Sequence, residues 1–220
     1  MCLYPTLMLN PKFKPNKKNK GKPPKCTDER IRYVAVGCGK CYECRKQKAR
    51  QWQIRMAEEY RNDKSGVFIT LTFNEEKLKY YEEKCEKEKE TKDQNEIATI
   101  AVRECLERIR KKTKKSLKHW LITELGHTGT ERIHLHGIVW GENAEKIIKE
   151  KWNNGYIYIG KWVNEATINY ITKYITKPDF DHKEFQGKIL CSAGIGKNYM
   201  NREDSKRNKY KGTNTKEHIS

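Results

Sequence analysis

Apolar residues follow two periods along this chain, and each period indicates one kind of secondary structure. Runs rich in β-branched and aromatic residues predict strands, whereas apolar residues that recur every three or four positions predict helices. The predicted strands are residues 32–36, 66–73, 119–125, 132–140 and 155–162. The predicted helices lie within residues 37–62, 95–115, 143–152 and 164–177. Between them, the charged residues 74–94 have no clear apolar stripe and are predicted to be a helical or loop insertion.

The order of these elements predicts the fold class. After an N-terminal extension they run β-α-β-β-α-β-α, and the segment GHTGT at 126–130 predicts a turn between the two central strands. Those strands should pair as an antiparallel hairpin. The pattern favours an α+β fold, in which an antiparallel sheet of about four to five strands carries helices mainly on one face.

The charge of the chain predicts a class of binding partner. The 220 residues contain 47 Lys and Arg against 29 Asp and Glu, a net charge of +18, which favours binding to nucleic acid. A host with lysine-rich proteins would raise the charge everywhere. Here the first 61 residues hold 16 basic and 5 acidic side chains, so the charge is concentrated there. Residues 10–25 carry seven lysines and four prolines, which predicts an extended, solvated arm.

Location follows from what the chain lacks and from its thiols. No stretch reaches the length of a membrane-spanning helix, and the first ten residues are too short and too interrupted by Pro5 to be a signal peptide. We therefore expect a cytoplasmic protein without membrane partners. In that compartment the eight cysteines are expected to be free thiols or metal ligands rather than disulfides.

The segment IHLHGIVW contains two histidines on one strand. Residues two apart on a strand share a face, so His134 and His136 should point together while Leu135 points to the core. Glu124 lies on the adjacent predicted strand, at a level that depends on the register. Two imidazoles and one carboxylate with open positions suit Mg²⁺ or Mn²⁺, and also Zn²⁺ or Fe²⁺. The alternatives are a pair of half-exposed histidines without a metal, or a ligand from His127 in the turn.

A tandem Tyr-Ile-Thr-Lys repeat occupies the last predicted helix, with Asn164 as its expected cap and Pro178 as its expected end. Its tyrosines are four residues apart, so a helix places them on one face with the lysines nearby and the isoleucines opposite. Such spacing usually indicates core. Two phenols beside two ammonium groups nevertheless suit phosphate chemistry, with a tyrosine as nucleophile and the lysines as electrostatic partners. The residues are Tyr170, Tyr174, Lys173 and Lys177.

The N-terminal extension contains a second group of potential metal ligands. Three cysteines are spaced C-x2-C-x2-C: Cys38, Cys41 and Cys44. A ferredoxin pattern would need a fourth cysteine at position 48, which is lysine, so structural zinc is the better interpretation. Its fourth ligand would be Cys2 or Cys26, with Cys2 favoured because it would fix the N-terminus. The alternative is a set of ordinary reduced cysteines.

The helix that follows these cysteines carries the predicted contacts to DNA phosphates. Such contacts would be independent of sequence and sensitive to salt. Sequence recognition would then come from single-stranded bases held on the sheet or stacked on aromatic side chains. The predicted phosphate-binding residues are Arg45, Lys46, Lys48, Arg50 and Arg55.

Together these motifs resemble a known superfamily. The His-x-His strand followed by a Tyr-x-x-x-Tyr helix with interleaved lysines resembles the HUH superfamily of single-strand DNA endonucleases, whose first conserved strand resembles residues 66–73. Further motifs resemble the replication initiators of microviruses of the gokushovirus type. Those motifs are MCLYP (1–5), CGKCYECR (38–45) with the following Gln-Trp pair, TELG (123–126) and HLHG (134–137).

The resemblance implies rolling-circle initiation in the cytoplasm of a bacterial host. A tyrosine would nick single-stranded origin DNA and stay joined to the 5′ phosphate, freeing a 3′ hydroxyl for a host polymerase. Because no Walker-type loop is present, a host helicase would unwind the duplex. Residues 1–62 would form a basic Cys-rich extension, residues 63–180 the catalytic domain and residues 181–220 a basic, flexible tail.

Two other functions fit parts of the same sequence. A plasmid initiator or a conjugative relaxase would use the same chemistry at a different origin. A non-catalytic, zinc-containing DNA-binding regulator would bind DNA without needing either tyrosine or a divalent ion at the histidine pair.

Overall fold

The structure, a computed structural model, describes residues 2–126, 131–160, 162–177, 182 and 184–207. It divides into two compact units, Met1–Arg50 and Gln51–Ser220. Within the described residues, every helix is too short or too polar to cross a lipid bilayer.

The first unit contains a two-stranded antiparallel ribbon. Strand β1 (Thr6–Leu9) pairs with β2 (Tyr33–Val36), and most of their side chains are exposed on both faces. Strand β1 has no alternation of apolar and polar residues that would predict it, because Thr6 is followed by three apolar residues and most of the strand is exposed. The predicted extended arm also contains a 3₁₀ turn, Pro11–Phe13, which begins where the Asn10 side chain accepts a hydrogen bond from the Lys12 backbone.

The second unit is built on a five-stranded, fully antiparallel sheet. Its strand order is β6-β3-β5-β4-β7, with the β4-β5 hairpin near the centre as predicted. The strands are β3 (Val67–Leu71), β4 (Lys118–Leu125), β5 (Ile133–Trp140), β6 (Ile157–Gly160) and β7 (Ile189–Cys191).

Helices cover both faces of this sheet. The described residues form six α-helices: α1 (Tyr42–Asn62), which begins in the first unit, α2 (Glu75–Lys89), α3 (Gln94–Thr113), α4 (Ala144–Lys151), α5 (Glu165–Lys173) and α6 (Glu203–Arg207). The main core lies between α2, α3, α4 and the face that carries Leu71 and Leu135. On the opposite face, Trp52 of α1 packs edge-on against Trp120, and α5 lies over β3 and β5. The α+β fold class is therefore confirmed.

Helix α2 buries side chains in the core that its sequence pattern did not indicate. The charged segment that was predicted as a helix or loop without an apolar stripe is a regular helix capped by Asn74. It buries Tyr81 and Cys85, which are four residues apart. Two apolar positions among so many charges are enough for a helix at the edge of a core, but they do not produce a recognisable stripe.

The tyrosine helix starts as predicted but ends earlier. Asn164 caps α5 in a reciprocal capping box with Thr167. The α-helix stops at Lys173, and the chain continues in tight turns in which the Thr176 backbone N–H donates to the Lys173 carbonyl at 2.9 Å. Pro178, the predicted helix end, lies outside the described residues.

The predicted flexible tail is wrong for the part of it that the structure describes. Strand β7 pairs with β4, and Ile195 is buried. Arg202 also donates to the carboxylate of buried Glu58 on α1 at 2.9 Å. The short apolar run that forms β7 gave too little periodic signal to identify a strand. Residues 208–220 lie outside the described part of the chain.

Candidate functional site

The β4-β5 hairpin brings three predicted metal ligands together. Its register places Glu124 directly opposite His134, and His136 opposite Ile122, so all three ligand side chains share one sheet face. His136 Nε2 lies 2.9 Å from Glu124 Oε2, and His134 Nε2 lies 3.3 Å from the same oxygen. The three ligand atoms are all within 4.8 Å of one another. His127, the alternative ligand, lies outside the described residues.

The other nitrogen of each imidazole also has a partner. His134 Nδ1 lies 3.0 Å from the Arg132 carbonyl, which can only accept, so Nδ1 carries the proton and a neutral ring offers Nε2 as a ligand. His136 Nδ1 lies 3.0 Å from the Thr70 hydroxyl on β3. Partners of this kind orient metal-binding imidazoles. Thr70 went unnoticed in the sequence because its contact depends on the β3-β5 register, which pairs Thr70 with His136.

The carboxylate of Glu124 is held in its charged form. Burial acts to raise its pKa, but hydrogen bonds with His134, His136 and Lys177 outweigh burial and hold the pKa well below the ordinary value. An ionised carboxylate beside two imidazole nitrogens, all only partly exposed, can bind a small divalent cation. Glu124, His134 and His136, together the ligand group, thus have the donor atoms for a metal ion.

Of the two predicted lysines, only Lys177 reaches this group. Its ammonium lies 2.5 Å from Glu124 Oε1 and 5.5 Å from the centre of the Tyr174 ring. The Lys173 side chain is exposed and makes no ion pair or hydrogen bond with any described residue. Between the two lysines the α-helix ends at Lys173 and the chain continues in tight turns to Lys177.

Both predicted tyrosines lie beside the ligand group. The Tyr174 ring stacks on His136 with centroids 4.5 Å apart and planes 6° apart. The Tyr174 hydroxyl is 2.7 Å from that of Tyr170, which is 49% exposed. Helix α5 is anchored by buried Ile171 and by a hydrogen bond from Gln53 to Thr172 at 3.2 Å. The two phenols are thus presented side by side at the site.

The environment of Tyr174 favours the neutral phenol. Burial raises its pKa, and the hydrogen bond with Tyr170 and the negative charge of Glu124 raise it further. The positive charge expected to favour phenolate is carried by Lys177, which is paired with Glu124. A cation between the ligands would add the missing positive charge.

The first unit assembles a second potential metal site. The sulfurs of four cysteines lie within 4.8 Å of one another: Cys2, Cys38, Cys41 and Cys44. The backbone N–H of Cys38 donates to Cys2 Sγ at 3.2 Å, which ties the N-terminus to the turn. A side chain at Gly37 would come within 2.9 Å of Cys44 Sγ, so the turn requires glycine there. The other candidate ligand, Cys26, instead donates to the Asp28 carbonyl at 3.1 Å.

The four thiols do not share one acidity. Backbone hydrogen bonds from Leu3 and Cys44 lower the pKa of Cys41 to about 6. For Cys44, the Gly39 backbone acts to lower the pKa, but the neighbouring sulfurs and burial raise it to about 12. The lowered pKa of Cys41 favours its thiolate, which is the form that binds metals.

The predicted DNA contacts fall into two groups. Arg55 is engaged within the second unit, where Nε donates to the Ile195 carbonyl at 3.0 Å and the guanidinium lies 4.1 Å from the Trp52 ring. That position holds the C-terminal segment against α1. The other four lie in the first unit, where Arg45 and Lys46 are partly buried and Lys48 and Arg50 are exposed.

The protein thus has an α+β fold whose antiparallel sheet carries a potential metal site. Two tyrosine side chains lie beside this site. A family model for the replication-associated protein ORF2 matches residues 66–179, slightly more than half of the chain. The chain therefore belongs to this family of rolling-circle replication initiators, in agreement with the resemblance to initiators of the HUH type. The matched segment contains the histidine pair, Glu124 and both tyrosines. No curated protein and no solved structure gives a match.

Proposed function

We propose that this chain nicks and rejoins single-stranded origin DNA by metal-dependent transesterification through a 5′-phosphotyrosine. The observation that carries the proposal is the stacking of Tyr174 on His136, 4.5 Å apart, with its hydroxyl bonded to that of Tyr170. A phenol oxygen is thereby held next to a group that can bind a cation and, through it, a phosphate. Because the chain belongs to a family of replication initiators, we take DNA as its substrate.

The reaction exchanges one phosphoester for another. The bond from the tyrosine oxygen to phosphorus forms while the bond from phosphorus to the 3′ oxygen breaks, and the phenol proton ends on the released 3′ hydroxyl. Because the number of phosphoester bonds is unchanged, the 3′ hydroxyl can attack the phosphotyrosine and rejoin the strand without ATP. A second phenol within hydrogen-bond distance allows a second cut while the first link persists.

The residues around the phenols take distinct roles. His134, His136 and Glu124 would hold Mg²⁺ or Mn²⁺, which polarises the scissile phosphate and favours the phenolate. Lys177 would move from Glu124 to the phosphate or the leaving oxygen when a cation takes its place, and the exposed Lys173 would add positive charge. Tyr170, the more exposed phenol, is the easier of the two for a DNA strand to reach.

The first unit would support this reaction by binding DNA. Four thiol sulfurs within 4.8 Å suit a structural Zn²⁺, which is tetrahedral and takes sulfur ligands. The unit carries 14 basic and 3 acidic residues, so exposed side chains such as Lys48 and Arg50 would meet DNA phosphates. A host polymerase would extend the 3′ hydroxyl and a host helicase would open the duplex, both in the bacterial cytoplasm.

A covalent-adduct gel tests the nicking proposal. The protein is mixed with Mn²⁺ or Mg²⁺ and with labelled single strands, which together cover the whole sequence of the replicon that encodes it. The mixture is then denatured in SDS. Label should migrate with the protein, and it should be lost in the double variant Tyr170→Phe/Tyr174→Phe and in His134→Ala. The matched control, Tyr80→Phe on α2, should form the adduct normally. DNA binding without an adduct under both metals would favour the non-catalytic regulator, and an adduct only with plasmid or transfer origins would favour an initiator or relaxase of that kind.

A further inference from the structure

A row of aromatic rings leads from the ligand group to the edge of the sheet. His136 stacks on Tyr174 at 4.5 Å, and Tyr174 meets Tyr170 edge-on at 5.5 Å between ring centroids. Tyr170 meets Phe68 of β3 at 6.2 Å, and Phe68 meets Tyr158 of edge strand β6 at 6.3 Å. Each ring therefore contacts the next in favourable edge-to-face or stacked geometry.

The outer end of this row is open to solvent. Tyr158 is 52% exposed, Tyr156 just before the strand is 71% exposed, and Trp162 just beyond the strand is 82% exposed. Within the described residues from Gln51 onward, four of the five exposed large aromatic side chains fall between positions 156 and 170. Exposed aromatic side chains concentrated in this way mark a binding surface.

The strand register directs these rings to the face that carries the ligand group. Tyr158 pairs with Thr70, and Thr70 pairs with His136, so the three point to the same side of the sheet. Gly160 pairs with Phe68, and a Cβ there would lie 2.9 Å from the Phe68 ring. The glycine therefore leaves room for the Phe68 ring to lie over β6, where it supports Tyr158.

We infer that Tyr158, supported by Phe68, stacks unpaired bases of the strand whose phosphate is held at the tyrosine pair. The inference rests on the proposed function, because that function places single-stranded DNA on this face. An exposed ring offers a flat apolar surface that fits a nucleobase and does not fit a phosphate. Duplex DNA hides its base faces, so the surface selects unpaired strands. Because every base has such a face, this site grips the strand without reading its sequence.

Binding of a short fluorescent oligo(dT) to the full chain, without divalent metal so that no cleavage occurs, tests the site. An abasic oligomer of the same length separates base stacking from phosphate contacts. Tyr158→Ala and Tyr158→Leu should each weaken oligo(dT) binding about tenfold, whereas Tyr158→Phe should bind normally. The control Tyr80→Ala removes a ring with a similar exposure, 49%, from the opposite side of the sheet and should have no effect. On the abasic oligomer all variants should bind equally.

Two results would overturn the inference. One is unchanged oligo(dT) binding in Tyr158→Ala and Tyr158→Leu, and the other is an equal loss on the abasic oligomer. Thermal unfolding of each variant shows whether the fold is intact, and Tyr158→Leu keeps apolar area if alanine destabilises the edge strand. Failure of the proposed function looks different: stacking would behave as described while the adduct gel gave no phosphotyrosine with either metal.

Discussion

The chain holds two groups of potential metal ligands that are built in opposite ways. In the second unit, Glu124, His134 and His136 come from two strands and are positioned by the register of a sheet with a large core behind it. In the first unit, three of four cysteines lie within seven residues of one turn, and the neighbouring ribbon is exposed on both faces.

From this difference we infer which unit should depend on a bound metal for its folding. The histidine group is preformed, because the core fixes the strands whether or not a cation is bound. A two-stranded ribbon has too little burial to be stable alone, so under the proposed zinc site we expect the first unit to depend on a metal that joins its four thiols. We therefore expect metal removal to stop the chemistry of the second unit but to unfold the first.

The largest expected effect comes from breaking the cysteine group. Because binding of structural zinc is worth on the order of 10 kcal/mol, Cys38→Ser should abolish zinc binding and leave residues 2–50 without protection from hydrogen exchange. Protection across Ile69 and the rest of the sheet should be unchanged. Cys26→Ser is the control, because the Cys26 thiol donates to the Asp28 carbonyl and lies outside the group. Intact protection of the first unit after zinc removal would contradict the comparison.

The next effect concerns Thr70, which contacts His136 Nδ1 at 3.0 Å. Thr70→Val should lower the affinity for Mn²⁺ by roughly 10-fold or more, since partners that orient a ligand imidazole contribute about 10–100-fold to metal affinity. Titration with Mn²⁺ measures this effect. Thr72→Val, just beyond the same strand, loses a hydrogen bond to the Tyr156 carbonyl instead, and its Mn²⁺ affinity should not change. Equal affinities in the two variants would remove Thr70 from the site.

The third effect concerns Lys177 in the second unit. Its ammonium is paired with Glu124 and therefore competes with a metal cation for that carboxylate. Lys177→Ala should bind Mn²⁺ several-fold more tightly, yet it should form the DNA adduct several-fold more slowly because the lysine also stabilises the phosphate. Lys173→Ala, which removes an exposed lysine that does not contact Glu124, should leave Mn²⁺ affinity nearly unchanged. Weaker Mn²⁺ binding in Lys177→Ala would show that the ion pair does not oppose the metal.

The smallest effect tests whether the second unit is stabilised without any metal. Hydrogen bonds from Lys188 and Lys89 lower the pKa of Glu96 to about 2, against an ordinary value of 4.5. A depressed carboxyl pKa stabilises the fold above 4.5, and this stability is lost as the pH falls towards 2. Glu96→Gln should cost about 0.5–1 kcal/mol at neutral pH after allowance for solvent screening, and the difference should vanish in acid.

Urea unfolding at several pH values, followed by tryptophan fluorescence, measures this cost. Glu107→Gln on the same helix removes only an exposed pair with Arg110 and should change the free energy of unfolding by less than about 0.5 kcal/mol. A cost for Glu96→Gln that stays constant down to a pH of about 2 would mean that the carboxylate charge is not its source.

Local patterns made much of this architecture predictable. The strand period placed His134 and His136 on one face, and the predicted hairpin made Glu124 their neighbour, as the β4-β5 register confirms. Helical spacing likewise grouped Tyr170 with Tyr174. Each inference joins residues that are close in sequence or linked by one hairpin, where geometry follows directly from periodicity.

Features that depend on distant pairing could not be predicted in this way. The Thr70 contact joins residues that are 66 positions apart, and the ion pair of Lys177 with Glu124 joins residues that are 53 positions apart. Strand β7 has only three residues and forms because β4 offers it an edge. Such features arise from tertiary packing, which leaves little trace in local sequence.

The most direct test of the account is to locate the covalent link by mass spectrometry. The protein is incubated with single-stranded origin DNA and Mn²⁺, digested with nuclease and protease, and searched for peptides that carry a nucleotide. We predict a 5′-phosphotyrosine at Tyr170 or Tyr174 that is absent when the metal is chelated, while the protection of the sheet from hydrogen exchange stays the same. A nucleotide on any other residue, or an unchanged yield without metal, would contradict it.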